Sequence, residues 1–193
     1  MNTLTKTFEV SSRDEIVVLC DQITELIRAE LEINPDRKKP IIISINGDVN
    51  AGKSILWDRI REKLLKNGGV FIKKDSDSYQ DSLRIFETWQ GSIFDNNTND
   101  IRLFACNVTQ LVQSMSADNT ARLKKLLNYK YQTFADVILL SNTFDSLLPI
   151  EDYDLMVNIN YVGKKRDYFS RTQWQRHLSI KTTTSSPFSA LTQ

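Results

Sequence analysis

Apolar positions along this chain switch between a helical period and uninterrupted or alternating runs, and the switches mark its elements. Thr3 to Val10 reads as a short strand. Ile16, Leu19, Cys20, Ile23, Leu26, Ile27 and Leu31 then recur at helical spacing, with Asp21, Gln22, Thr24, Glu25 and Arg28 on the opposite side. Ser11 and Ser12 offer a capping hydroxyl with Glu15 just downstream, and Asn34-Pro35-Asp36 ends the helix. Ile41-Ile42-Ile43-Ser44-Ile45 is short, β-branched and unbroken, as in a parallel strand buried on both faces. Helical spacing returns at Ile55, Leu56, Ile60, Leu64 and Leu65, predicting a helix from Ser54 to Lys66 that Asn67-Gly68-Gly69 stops.

The second half is read in the same way. Val70-Phe71-Ile72 and Ile101 to Val108 are expected strands, separated by a segment from Asp81 to Trp89 and a polar loop from Gly91 to Asp100. Ala117-Asp118-Asn119-Thr120 can cap a helix carrying Leu123, Leu126 and Leu127. Ala135 to Leu140 is a second buried strand. Tyr153 to Tyr161 alternates, with Leu155, Val157 and Ile159 on one face; Gly163 to Asp167 reads as a hairpin turn, and Tyr168 to Thr172 as an antiparallel return. From Lys181 the Thr/Ser-rich chain shows no apolar period, so 1–180 is expected to form one domain and 181–193 a disordered tail. The predicted fold class is α/β, a P-loop NTPase fold with a mostly parallel central sheet flanked by helices and antiparallel C-terminal strands.

Composition narrows the function classes. At 193 residues, 40% hydrophobic and 25% charged, the chain suits one ordinary globular domain. Twenty-five Lys and Arg against 24 Asp and Glu leave a net charge of +1, which offers no global attraction to nucleic acid, and no direct DNA binding is expected. No apolar run approaches the roughly 20 residues that span a bilayer, and the N-terminus does not resemble a signal peptide, so a cytoplasmic protein without membrane partners is expected. Cys20 and Cys106 lie in apolar segments without metal-type spacing and read as reduced, buried thiols. The single histidine, His177, reads as a surface residue.

The chemistry lies between the first buried strand and the helix after it. Gly47-Asp48-Val49-Asn50-Ala51-Gly52-Lys53-Ser54 fits G-x-x-x-x-G-K-S at every fixed position. The glycines permit a curved backbone whose amides converge on phosphate oxygens, Lys53 supplies positive charge for the β and γ phosphates, and Ser54 a hydroxyl for Mg²⁺. A nucleoside triphosphate, ATP or GTP, would sit at the positive end of the helix dipole. Asp75 and Asp77 follow the next strand, where Mg²⁺-shell and nucleophile-positioning groups are placed in such folds; they read equally as a capping turn. Lys164, Lys165, Arg166 and Arg171 concentrate positive charge, as a hairpin tip or as lid charges.

In order and motif, most of residues 6 to 172 resemble the TsaE family, small ATPases that support tRNA threonylcarbamoyladenosine synthesis in bacteria. The resemblance rests on Lys6 to Glu15 and the amphipathic helix after it, on the loop beginning Gly47-Asp48, and on Ser76-Asp77-Ser78-Tyr79, which is similar to a Ser-Pro-Thr-aromatic motif that senses nucleotide. It extends to Phe104 to Leu111, to Val137 to Asn142 and to Leu147-Leu148-Pro149 through Arg166. Asn107 stands at the family's magnesium-associated Asp, Ser141 or Asn142 at its Glu, and Asp77 at its Pro. The resemblance thus implies ATP binding with Mg²⁺ and a protein partner in a tRNA-modification complex, with hydrolysis weakened or partner-dependent because two carboxylates are lost. Asp75 or Asp77 could replace a Mg²⁺ ligand. Two other readings stand beside it: a small-molecule kinase resembling the uridine kinase and phosphoribulokinase group, with Asp75 or Asp77 as base, and a non-hydrolysing nucleotide-sensing adaptor.

Overall fold

The first helix forms where its capping chemistry and apolar stripe coincide. In the computed structural model, which describes residues 2–64, 101, 103–107, 136–141, 152–162 and 175–193, strand β1 (Thr3–Val10) runs into helix α1 (Arg13–Ile33). Ser12 caps the helix, accepting from the Glu15 amide, while the Glu15 carboxylate accepts from the Ser11 and Ser12 amides at 3.0 and 3.1 Å. These bonds satisfy amides that the first turn leaves without helical partners, and they hold the Glu15 carboxyl below its ordinary range. Ile16, Leu19, Cys20, Ile23 and Ile27 are buried as the spacing predicts. Thr24, expected to face water, is buried instead, because its hydroxyl donates to the Cys20 carbonyl at 2.7 Å and so needs no solvent.

Strand β2 (Ile41–Gly47) leads through the glycine-containing loop to helix α2 (Lys53–Leu64). Strands β3 (Leu103–Asn107), β4 (Val137–Ser141), β5 (Leu155–Tyr161) and β6 (Arg176–Thr183) complete a six-stranded sheet in the order β1-β6-β5-β2-β4-β3. The pairs β3/β4, β4/β2 and β2/β5 are parallel, and β5/β6 and β6/β1 antiparallel. The fold is therefore mixed α/β, with a sheet that is parallel through its core, helices against it and one antiparallel strand, β6, supplied by the C-terminal segment between β5 and β1.

Ile41, Ile43 and Ile45 share one core with Val137 and Leu139 of β4, Leu155, Val157 and Ile159 of β5, and the buried faces of α1 and α2. Ile42, Ile138, Leu140 and Met156 point to the opposite face and are buried as well, which explains why β2 and β4 read as unbroken apolar runs. Trp57 joins the α2 face of the core, its indole N–H reaching the Leu139 carbonyl at 3.4 Å. The basic stretch Arg37-Lys38-Lys39-Pro40 reads in the sequence as a solvated linker into β2; Lys38 and Lys39 are exposed accordingly, but Arg37 is tied down between Glu30 at 2.6 Å and Asp154 at 2.8 Å. The other Asp154 oxygen accepts from the Ile42 amide at 2.9 Å.

The C-terminal segment differs from the sequence-based expectation. Residues 181–193 are not a disordered tail: Lys181–Thr183 finish β6, and Pro187–Thr192 form a 3-10 helix whose Phe188 is 0% exposed within the core. Leu178, Ile180 and Thr182 alternate toward the interior, and the Thr182 and Ser186 hydroxyls each donate to the Asp154 carbonyl at 2.7 Å. Bonded hydroxyls lose their preference for water, so a Thr/Ser-rich stretch can lie inside. The antiparallel return thus begins at Arg176 and pairs Tyr161 with Arg176. The expected return at 168–172, the hairpin turn, the strand at 70–72, the helix after 117–120 and the 164–171 cations lie outside the described residues.

Candidate functional site

Gly47 is the point at which β2 must end. Its φ is 131°, and a Cβ placed there would stand 1.9 Å from the Ile159 carbonyl oxygen of the paired strand. A residue without a side chain lets the strands meet at the Gly47 and Ile159 positions, and the Asp48 amide then donates to that same carbonyl at 3.1 Å. The first glycine of the motif thus serves the sheet. Beyond it the chain curls through Asn50, at φ 59°, and Gly52, at φ 109°, with the Ala51 amide closing back on the Asp48 carbonyl at 3.2 Å. Asn tolerates the left-handed region better than most residues, and glycine adopts it freely. The Ile55 amide bonds the Gly52 carbonyl at 3.0 Å as α2 starts, which leaves the first amides of the helix at the loop.

Lys53 curls back over this curve. Its Nζ donates to the Gly47 carbonyl at 3.0 Å and to the Asp48 carbonyl at 2.5 Å, and the residue is 8% exposed. Burial pulls its pKa below the ordinary lysine value, and the negative charge of Asp48 opposes that shift. An ammonium held by two neutral carbonyls in a half-dry loop is poised to gain from an anion. Ser54, next along, is exposed. The structure thus gathers Gly47, Asp48, Val49, Asn50, Ala51, Gly52, Lys53 and Ser54 at one junction, from the last residue of β2 to the first turn of α2.

The loop is also held from the sheet's antiparallel half. Tyr161 at the end of β5 donates its hydroxyl to the Val49 carbonyl at 3.0 Å and its amide to Asp48 Oδ2 at 3.0 Å. Arg176 at the start of β6 donates Nε–H to the Ala51 carbonyl at 2.9 Å. Neither was legible as a site residue, since their meeting depends on the β5/β6 register, which pairs Tyr161 with Arg176. On the other side of β2, the carboxyl ends of β3 and β4 bring Asn107 and Ser141 into register, with Ser141 buried. Asp75 and Asp77 lie outside the described residues. Among the described residues no group of three or more His, Cys, Asp or Glu could hold a metal ion. His177 is exposed and Cys20 buried, as expected; burial pushes the Cys20 thiol pKa up.

The class defined here is an α/β protein with a glycine-hinged loop joining a doubly buried parallel strand to a helix. No protein-family model matches the chain, and no curated protein sequence matches it either. Among solved structures, the crystal structure of Bacillus subtilis YdiB aligns over 94% of this chain and 88% of its own, at 14% identity and a TM-score of 0.46. That likeness assigns no role to any residue, and the site stands on its own geometry. No described helix is long and apolar enough to cross a membrane.

Proposed function

We propose that the loop at 47–54 binds the phosphates of a nucleoside triphosphate, ATP or GTP, with Mg²⁺, and that the chain is a divergent protein of the TsaE type whose hydrolysis is slow or partner-dependent. The observation that carries this reading is Lys53, folded onto the Gly47 and Asp48 carbonyls inside a loop with three positive φ values. On binding, Lys53 exchanges neutral acceptors for charged phosphate oxygens, and charge-assisted bonds are roughly twice as strong as neutral ones. Free amides at the start of α2 add the favourable end of the helix dipole.

Mg²⁺ fits this donor set in part. The hydroxyl of the exposed Ser54 would hold it together with phosphate oxygens, and the ion would supply neutralisation of charge developing on the transferred phosphoryl. Asp75 and Asp77 remain candidate Mg²⁺-shell residues. The resemblance expects carboxylates that orient metal and water at Asn107 and at Ser141 or Asn142, and their absence from the sequence supports binding over fast turnover. This also supports a second reading, a nucleotide-sensing adaptor that does not hydrolyse. A protein partner, in a tRNA-modification complex if the TsaE role is retained, belongs to the proposal, as does a cytoplasmic site of action.

Calorimetry with Mg-ATP and Mg-GTP tests the proposal. Heat of binding in the wild type, lost in a folded Lys53→Ala variant, is expected; no heat with either nucleotide would refute nucleotide binding. Turnover measured with and without candidate protein partners separates the partner-dependent ATPase, which accelerates, from the adaptor, which binds without turnover.

A further inference from the structure

The nucleotide reading uses Lys53 and leaves the grip on the other side of the loop unexplained. Tyr161 and Arg176 face each other across the β5/β6 register, and the guanidinium carbon lies 4.4 Å from the tyrosine ring centroid. Stacked in this way, the two side chains restrict each other, and a second guanidinium N–H is fixed on the Gln175 carbonyl at 2.7 Å. Each delivers one donor to the loop: the tyrosine hydroxyl to the Val49 carbonyl and the arginine Nε–H to the Ala51 carbonyl, at 3.0 and 2.9 Å.

Those two carbonyls belong to the peptide units that carry the Asn50 and Gly52 amides. In a trans peptide the C=O and N–H point in opposite directions, so a carbonyl held by Tyr161 turns the Asn50 N–H away from it, and a carbonyl held by Arg176 does the same for Gly52. Without such ties these units could flip readily, since Asn50 and Gly52 sit at φ 59° and 109° and glycine tolerates either sign. We infer that Tyr161 and Arg176 are positioning residues, which hold the Val49 and Ala51 carbonyls so that the Asn50 and Gly52 amides are set in advance to donate to a phosphate. The ligand in this inference rests on the nucleotide reading above; the bracing of the loop does not. Preorganised amides bind an anion without first being reoriented, so the pair acts on affinity while touching no phosphate itself.

Tyr161→Phe and Arg176→Lys keep the volume and, for the lysine, the charge, while removing the hydroxyl and the Nε–H. Three measurements on each variant test the inference: Mg-ATP affinity by calorimetry, exchange of the Ala51 amide by NMR, and the urea midpoint. Affinity is expected to fall roughly three- to tenfold in Tyr161→Phe and about tenfold in Arg176→Lys. The Ala51 amide, bonded to the Asp48 carbonyl at 3.2 Å, should exchange faster while the urea midpoint stays in place. Wild-type affinity in both variants, or an affinity loss that merely follows a lowered urea midpoint, would overturn the inference. Should the wild type bind neither Mg-ATP nor Mg-GTP, the nucleotide reading fails, and Ala51 exchange alone decides the brace: faster exchange in the variants upholds it and unchanged exchange overturns it.

Discussion

Replacing Gly47 by alanine adds a single carbon atom at the junction of the two central parallel strands. That carbon would stand 1.9, 2.7 and 2.8 Å from the Ile159 carbonyl oxygen, carbonyl carbon and amide nitrogen, all of them backbone atoms that no side-chain rotation can move aside. Holding an alanine at φ 131° costs about 1–3 kcal/mol. Separating the strands also strains or breaks the Asp48 amide bond to Ile159 and its neighbours in the ladder, about 1–3 kcal/mol for each buried group left without a partner. With one such group the sum is roughly 2–6 kcal/mol, a large part of the ~5–15 kcal/mol that holds an ordinary domain together. Urea unfolding followed by circular dichroism should therefore show Gly47→Ala with a much lower midpoint, or unfolded without denaturant. A variant with the wild-type midpoint would refute the view that the first motif glycine exists for the β2/β5 contact.

Three further outcomes follow from the described geometry. Burial depresses the Lys53 pKa, so the fold carries the penalty of a half-dry ammonium below that pKa and sheds it as pH rises toward the unfolded value near 10.5. Phosphate favours the charged form, so Mg-ATP affinity should fall through the same alkaline window with proton uptake on binding; calorimetry in two buffers of different ionisation heat reads this, and a flat profile contradicts it. Asp154→Ala removes the acceptor of the Ile42 amide and one anion of Arg37, and should lower stability by about 2–3 kcal/mol in urea titration, with a change under 0.5 kcal/mol contradicting the tie. Phe188→Ala empties a fully buried position and should cost about 3–5 kcal/mol; an unchanged thermal midpoint would mean that the 3-10 helix does not pack on the core as described.

What could be read from residue order alone was whatever depends on near neighbours. The α1 cap, the doubly buried β2 and the loop-to-helix junction each declare themselves within about eight residues, and each is found where spacing puts it. Thr182, Ser186 and Phe188 escaped because their burial is made possible by the Asp154 carbonyl and a core built from distant segments. Arg37 looked like one charge of a solvated linker until Asp154, 117 positions away, supplied its partner. Tyr161 and Arg176 gave no local signal either: their chemistry exists only once β5 and β6 are in register.

The pairing of β1 with β6 sets an order on biosynthesis. Strand β1 is translated long before β6, its described hydrogen-bonding partner, and the Arg176 tie to Ala51 arrives with that same later strand. A nascent chain therefore carries the whole 47–54 motif long before Arg176 can steady it, and a product truncated before Arg176 would keep every motif residue while lacking both the arginine and the strand that joins β1 to β5.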